Sequence, residues 1–410
     1  MTDSHILISD VAVFDPRTAQ RVEHQSVVVA GDVIDWVGPA AQAPEPGAGW
    51  TVRDGRGRTL LPGLFNGHVH LMGDGVNDGG KLTDSTTYGA VQAVVNLEQT
   101  IRTGVTSVRD CGSIGGIAIE LRDIVASGYL RGPRVKAAGR VITMTGGHGH
   151  SIGREADGPW GVAQATRAEL HAGADFIKIM ATGGVLTEGV TPLQTALHVD
   201  ELRAAVDEAH NAGKRITSHA IGGAGVKNAI RAGLDSIEHA CFFDEEAIEL
   251  ALERGTIIVP TLIAVNRIVT NGDSIPEWVY TKALMESEAS VSGFQAMVKA
   301  GVRVACGTDA GTPHNPHTEL PAELELMVEY GMTPAQALVS ATLTAAENFD
   351  VLDTLGVVEP GKLADLLLVE GDPTTDISAV RDVLLVAKGG RIFRDELAHE
   401  DLLQRDAVAA

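Results

Sequence analysis

The sequence predicts an α/β protein, a (β/α)8 TIM-like barrel with a small β-sandwich built from both chain ends. Three observations carry this. The middle of the chain alternates short apolar runs with stretches long enough for a helix, as a parallel sheet requires. The two ends carry short runs of alternating apolar and polar residues separated by turns. Residues of metal-binding type recur where the middle runs stop, as they would at one mouth of a barrel.

Residues 1–57 read as the first part of the sandwich, with strands in "HILISDVAVFD", "QSVVVAGDVIDWVG" and "WTVRDGRGRTLLPG". Residues 58–352 read as the barrel. Its eight strand candidates are Leu60 to Leu71, Val105 to Cys111, Val135 to Thr143, Phe176 to Ala181, Ile216 to Ala220, Ser236 to Ala240, Ile257 to Leu262 and Val302 to Thr308. Helices such as "DELRAAVDEAHNAG" and "DEEAIELALERG" lie between them and run into glycine, which supplies a left-handed stop. Residues 353–410 return to the sandwich texture in "GVVEPGKLADLLLVEGD" and "VRDVLLVAKGGRIFR".

Composition narrows the function class. With 54 acidic against 32 basic residues the net charge is −22, which repels nucleic-acid phosphate and anionic membrane surfaces. No window approaches the roughly 18 apolar residues of a membrane span, and the start lacks the layout of a secretory signal, so a cytoplasmic protein is expected. Cys111, Cys241 and Cys306 are too few and too scattered for a disulfide framework or a cysteine-based zinc site. The expected partners are small molecules, with neither nucleic acid nor membrane, and the expected assembly is a homo-oligomer.

In "LLPGLFNGHVHL" His68 and His70 stand two apart at a strand end, on one face and close enough to share a partner. Backbone carbonyls would satisfy such a pair equally well. The balance shifts because Lys178 in "DFIKIMATGG", His219 in "RITSHA", His239 in "SIEHA" and Asp309 in "CGTDAG" each fall near another strand end. A protonated lysine would repel cations, but a lysine that captures carbon dioxide becomes an anionic two-oxygen ligand. Four histidines, that carbamate and one aspartate suffice for two divalent ions about 3.5–4 Å apart.

In these motifs and their order the chain resembles the amidohydrolase superfamily. "PGLFNGHVHL" is similar to its opening strand, "GTDAG" to its closing one, and "GVVEPGKLADLLLVEGDP" to the segment that rejoins the sandwich. The resemblance implies that His68 and His70 bind a buried metal and His219 and His239 a more exposed one. It further implies two zinc ions, N6-carboxylysine at Lys178 as their bridge, and Asp309 as both ligand and proton carrier. "TMTGGHGH", "GADFIKIMATGGV" and "EYGMTPAQALVSATLTAAENF" resemble the Xaa-Pro dipeptidase, carboxypeptidase-like and imidazolonepropionase-like branch. Aminohydrolases of the superfamily carry a glutamate three residues after the fifth-strand histidine. Here the chain reads His219-Ala220-Ile221-Gly222, which favours a two-metal amide hydrolase.

The expected reaction is attack of a metal-bridging hydroxide on an amide next to a free carboxylate, in a dipeptide, an Xaa-Pro-like substrate or an N-acyl amino acid. Asp309 and His148 are the expected catalytic side chains. In the loop "TGGHGHSIGREADGPWG", His148, His150 and Arg154 offer donors for a carboxylate. Phe243, with Phe242, is expected to form an apolar wall. Other amide-like bonds, such as a cyclic amide, carbamate, urea or lactone, remain alternatives, as does a non-catalytic scaffold.

Overall fold

The computed structural model describes residues 5–75 and 85–398 in two compact units. Residues 1–4 and 399–410, which the expected sandwich ranges include, lie outside the described residues.

The described residues of one unit are 5–65, 98–107 and 332–398. Its strands form an eight-stranded sheet in which the two chain ends meet. His5–Asp15 pairs antiparallel with Gln20–Ala30, which pairs with Val33–Pro39. Arg58–Pro62 lies antiparallel to Leu366–Glu370, with Leu61 opposite Leu367. That strand continues the sheet to Val383–Lys388 and Arg391–Asp395. Alternate residues Ile6, Ile8, Val27, Val29, Leu366 and Leu368 share one core, as a period of two dictates. Their neighbours Leu7, Val28 and Leu367 are also buried, so both faces of these strands are covered.

The described residues of the other unit are 66–75, 85–97 and 108–331. Ile177–Met180, Ile216–Ala220, Ser236–His239 and Ile257–Val259 pair in parallel, in that order. Arg154–Glu155 and Ile142–Thr143 extend the same sheet beyond Ile177–Met180. The helices Gly158–Ala172, Val199–Asn211, Gly223–Ala232 and Glu245–Arg254 provide the crossovers. Some of their ends have a clear local cause. Asp244, for example, accepts the amide of Ala247 at 3.0 Å to cap Glu245–Arg254, and Gly255 ends that helix. Ile177, Ile179, Leu202, Val206, Ile216, Ile230 and Ile237 pack between sheet and helices, each worth about 1.5–3 kcal/mol when fully buried.

Three more predicted strands appear as Leu64–Val69, Val105–Asp110 and Arg134–Ala137, which pair in that order. Three expectations need correction. The first strand, expected to run from Leu60 to Leu71, breaks at Gly63 into Arg58–Pro62, which pairs with Leu366–Glu370, and Leu64–Val69. The third strand, expected to run from Val135 to Thr143, breaks into Arg134–Ala137 and Ile142–Thr143. Between them Gly139 takes a φ of 74° and the Arg140 amide donates to the Glu169 carboxylate at 3.0 Å, which removes a ladder bond. The eighth run, Val302 to Thr308, forms no regular strand. Val304 makes a single parallel bridge to Ile258, and Cys306 accepts the Gly67 amide at 2.8 Å. The Thr308 amide is taken by the Asn66 side chain at 3.0 Å instead of by a neighbouring strand. Among the described residues no helix is long and apolar enough to cross a membrane.

Candidate active site

The parallel register staggers the predicted residues of neighbouring strands, Lys178 lying two positions before the level of His219 and His219 one before that of His239. Met180 stands opposite His219, and Ala220 opposite His239, while Lys178 projects from the strand beside them. The irregular eighth segment docks through its backbone. The Asp309 amide donates to His68 O and the His70 amide to Ala310 O, both at 2.8 Å. His239 and Asp309 have φ values of 70° and 58°. A left-handed backbone at a non-glycine residue costs about 1–3 kcal/mol, a strain that concentrates at functional sites. In His239 the reversal also re-aims a side chain that plain alternation would place opposite Glu238.

Five imidazoles follow one another across the cleft. The ring centroids of His70 and His68 are 5.4 Å apart, those of His68 and His239 5.2 Å, those of His239 and His219 4.6 Å, and those of His219 and His148 4.5 Å. Each ring has one nitrogen fixed by a partner. His70 Nδ1 donates to Gly112 O at 2.7 Å, and His68 Nδ1 lies 2.8 Å from Glu238 Oε2. His239 Nδ1 is hydrogen-bonded to Thr261 Oγ1 at 2.7 Å, and His148 Nδ1 to Thr187 Oγ1 at 2.8 Å. In these four the Nε2 atom is left for the cleft. His219 reverses the pattern, because its Nε2 donates to Gly183 O at 2.9 Å and its Nδ1 stays available. Partners of this kind set the tautomer and orientation of a metal-binding histidine.

The electrostatics suit cation binding. Burial, the largest influence, pushes His68 and His219 well below the ordinary histidine range and His148 and His239 down to about 4. All four are therefore neutral at pH 7, the form that ligates metal. Burial also acts to raise Asp309, but His68 and His70 outweigh it and hold the carboxylate well below its usual range. Asp309 Oδ1 lies 3.3 Å from both His68 Nε2 and His70 Nε2, yet no hydrogen bond satisfies it. The amine of the buried Lys178 likewise has no hydrogen-bond partner. These two orphaned polar atoms, among converging imidazoles, are groups that a bound cation would satisfy, so the residues fit a metal. His68, Cys111 and Glu238 also converge, but burial pushes the Cys111 thiol up to about 12 and Glu238 is already engaged.

The cleft holds about 400 Å³, within the range of small-molecule sites. His68, His70, His148, Lys178, His219, His239 and Asp309 all line it. His150, Arg154 and Phe243 do not. His150 Nδ1 hydrogen-bonds to Gly147 O at 2.9 Å, closing a turn within its own loop. Arg154 Nε donates to Glu169 Oε1 at 2.7 Å. Phe243 is buried in the core between sheet and helices. His150 and Arg154, expected as carboxylate donors, and Phe243, expected as an apolar wall, thus stand outside the lining of the cleft. His148 reaches the cleft because Gly184 has no side chain, and a Cβ there would lie 2.5 Å from the imidazole.

Several residues of the site had no motif to reveal them. Glu238 accepts from His68, Arg109 and Thr217, and Arg109 also donates to Gly67 O at 2.8 Å. Asp110 accepts the amides of Leu71 and Gly112, which fixes the carbonyl that holds His70. The apolar lining comes from Val185, Leu186, Ala264, Ile268, Trp278 and Val279, with Glu286 among them. The only signal for Glu238 was a second acidic residue beside a strand-end histidine.

Known proteins of similar sequence and fold place the chain. The model of the amidohydrolase family matches residues 59–393. The solved structure of a Xaa-Pro dipeptidase with methionine bound in its active site superposes with a TM-score of 0.88 at 34% identity, covering 95% of this chain and 100% of that one. A prolidase complexed with N-methylphosphonate-L-proline gives 0.89 at 30% identity, covering 96% and 100%. The ochratoxinase of Aspergillus niger is 29% identical, covering 96% of this chain and 87% of its own. The chain belongs to the amidohydrolase family and is an enzyme that hydrolyses carbon–nitrogen bonds of the amide type.

Proposed function

We propose that the chain is a two-metal hydrolase of an amide adjacent to a free carboxylate, as in a dipeptide or an N-acyl amino acid. The observation that carries this reading is the convergence of the His68, His70, His219 and His239 imidazoles, the unpartnered Lys178 amine and the unsatisfied Asp309 oxygen in one small cleft. His68, His70 and Asp309 would hold one ion, and His219 and His239 the other. Lys178, once its amine adds to carbon dioxide with loss of a proton, would bridge them. Nitrogen-rich donors of intermediate softness suit zinc. When bound, such ions make a water acidic enough to attack at neutral pH and polarise the scissile carbonyl.

The side chains of the protein do the rest. Asp309 takes the proton of the attacking water and returns it to the leaving nitrogen, a role worth about 10²–10⁴-fold. Glu238, fixed by Arg109 and Thr217, holds the His68 ring. His148 Nε2 and the Ser151 hydroxyl offer donors to the substrate from the loop after the third strand, in place of His150 and Arg154. The apolar wall excludes water and accommodates an apolar or prolyl residue. The solved relatives that are a Xaa-Pro dipeptidase and a prolidase support the peptide-like reading.

Matched free-acid and carboxamide substrates test it. Capping the carboxylate should cost about 1.5–3 kcal/mol in kcat/KM, the scale of a lost hydrogen bond to a charged group. Equal turnover of both forms would end the carboxylate reading. Total metal per purified chain separately tests the two-ion assignment.

A further inference from the structure

Five glutamates are buried in the described residues of the metal-binding unit, and four have protein partners. Glu169 accepts from Arg154 and the Arg140 amide, and Glu201 from the amides of Gly158 and His198. Glu238 accepts from Arg109, Thr217 and His68. Glu323 accepts the amides of Leu262 and Ile263 at 2.9 and 2.7 Å and so caps the helix Leu262–Thr270. Glu286 is the exception. It is 2% exposed, lines the cleft, and its Oε2 has no hydrogen-bond partner.

The position makes the exception costly. Glu286 sits on the helix Glu277–Ala300, on a buried face shared with Val279, Ala283, Ser290 and Phe294. A carboxyl group in such surroundings is strongly disfavoured unless something pairs with it. The nearest cation along the helix cannot serve. Lys282 donates to Thr187 O at 2.6 Å and lies 4.7 Å from the Trp278 ring centroid. Asp309, which also lines the cleft, adds like charge rather than relief.

We infer that Glu286 is a receptor for the substrate's ammonium group, so that the enzyme takes free dipeptides in preference to N-acylated amino acids. The inference rests on the peptide-like reading above and narrows it. An ammonium offers three donors to an acceptor-only carboxylate in a desolvated wall, where a charge-assisted hydrogen bond is strong. An acyl group at the same nitrogen removes the charge and meets the unpaired carboxylate.

The metal-loaded full-length enzyme decides the matter with L-leucyl-L-proline, L-leucyl-L-phenylalanine and their N-acetyl forms. The wild type should favour the free dipeptides in kcat/KM by about 10- to 100-fold, the scale of a lost hydrogen bond to a charged group. Glu286→Gln should lose that preference by slowing the free dipeptides alone. An equal fall on both forms, or a wild-type preference for the acetylated ones, overturns the inference and leaves the peptide-like reading standing. If no member of the panel is cleaved, the peptide-like reading fails, and binding still tests the subsite. L-Leucinamide should bind the wild type in calorimetry and not Glu286→Gln, while 4-methylpentanamide, which lacks the amine, should bind neither. Equal binding of leucinamide to both proteins, or to neither, overturns the inference. The melting temperature of Glu286→Gln should be no lower than that of the wild type, because the substitution removes an unpaired buried carboxyl.

Discussion

On the side of the cleft built from strand ends, every imidazole is tied to a backbone carbonyl, a carboxyl group or a hydroxyl. On the side built from the helices Leu262–Thr270 and Glu277–Ala300, the lining is apolar and its one carboxyl has an oxygen without a partner. The difference separates two tasks. Groups that must meet a metal and a reacting carbonyl gain from being fixed beforehand, since reorganisation during reaction is what catalysis avoids. Groups that recognise a substrate can leave their pairing to the ligand.

If that division holds, substitutions on the strand-end side should damage metal content and kcat, and the largest effect belongs to Lys178. Lys178→Ala should lose most bound metal and most activity, and short-chain carboxylic acids should restore part of both. A fully metallated and active Lys178→Ala protein would remove the bridging role. Asp309→Asn comes next, with an intact fold and kcat lowered by at least about 100-fold, the lower edge for a lost acid-base group. A rise in KM with kcat unchanged would move Asp309 to the recognition side.

Glu238→Gln sharpens the comparison by touching no substrate at all. It removes the charge that orients His68, and metal affinity should fall by about 10- to 100-fold, as measured by chelator competition. The partner that rescues Arg109 from burial alone is weakened too, so unfolding should be followed in parallel. The smallest effect on activity is expected at Arg154. Its partner Glu169 is buried, so Arg154→Ala leaves that carboxylate only the Arg140 amide and should cost about 1–3 kcal/mol of stability. It should leave kcat/KM unchanged, and a large loss of kcat/KM would return Arg154 to the substrate site.

Local pattern was enough for whatever depends on strand period and strand ends. Alternation put His68 and His70 on one side, and the apolar runs that carry Lys178 and His219 do pair in parallel. The pairing of Arg58–Pro62 with Leu366–Glu370 was legible as matching texture at both ends of the chain. What the sequence could not decide depends on partners distant along the chain. Arg154 reads as a free donor until Glu169, on a later helix, captures it. Phe243 reads as a wall until it packs into the core. Glu238 has the wrong parity for the site until Arg109 and His68 converge on it from other strands. Glu286 is one polar residue on a long helix, and only the packing of that helix against the cleft gives it a role. Strand period is a property of the backbone and is written residue by residue, whereas the partner of a buried charge is chosen by the fold, because only there does desolvation make the choice matter.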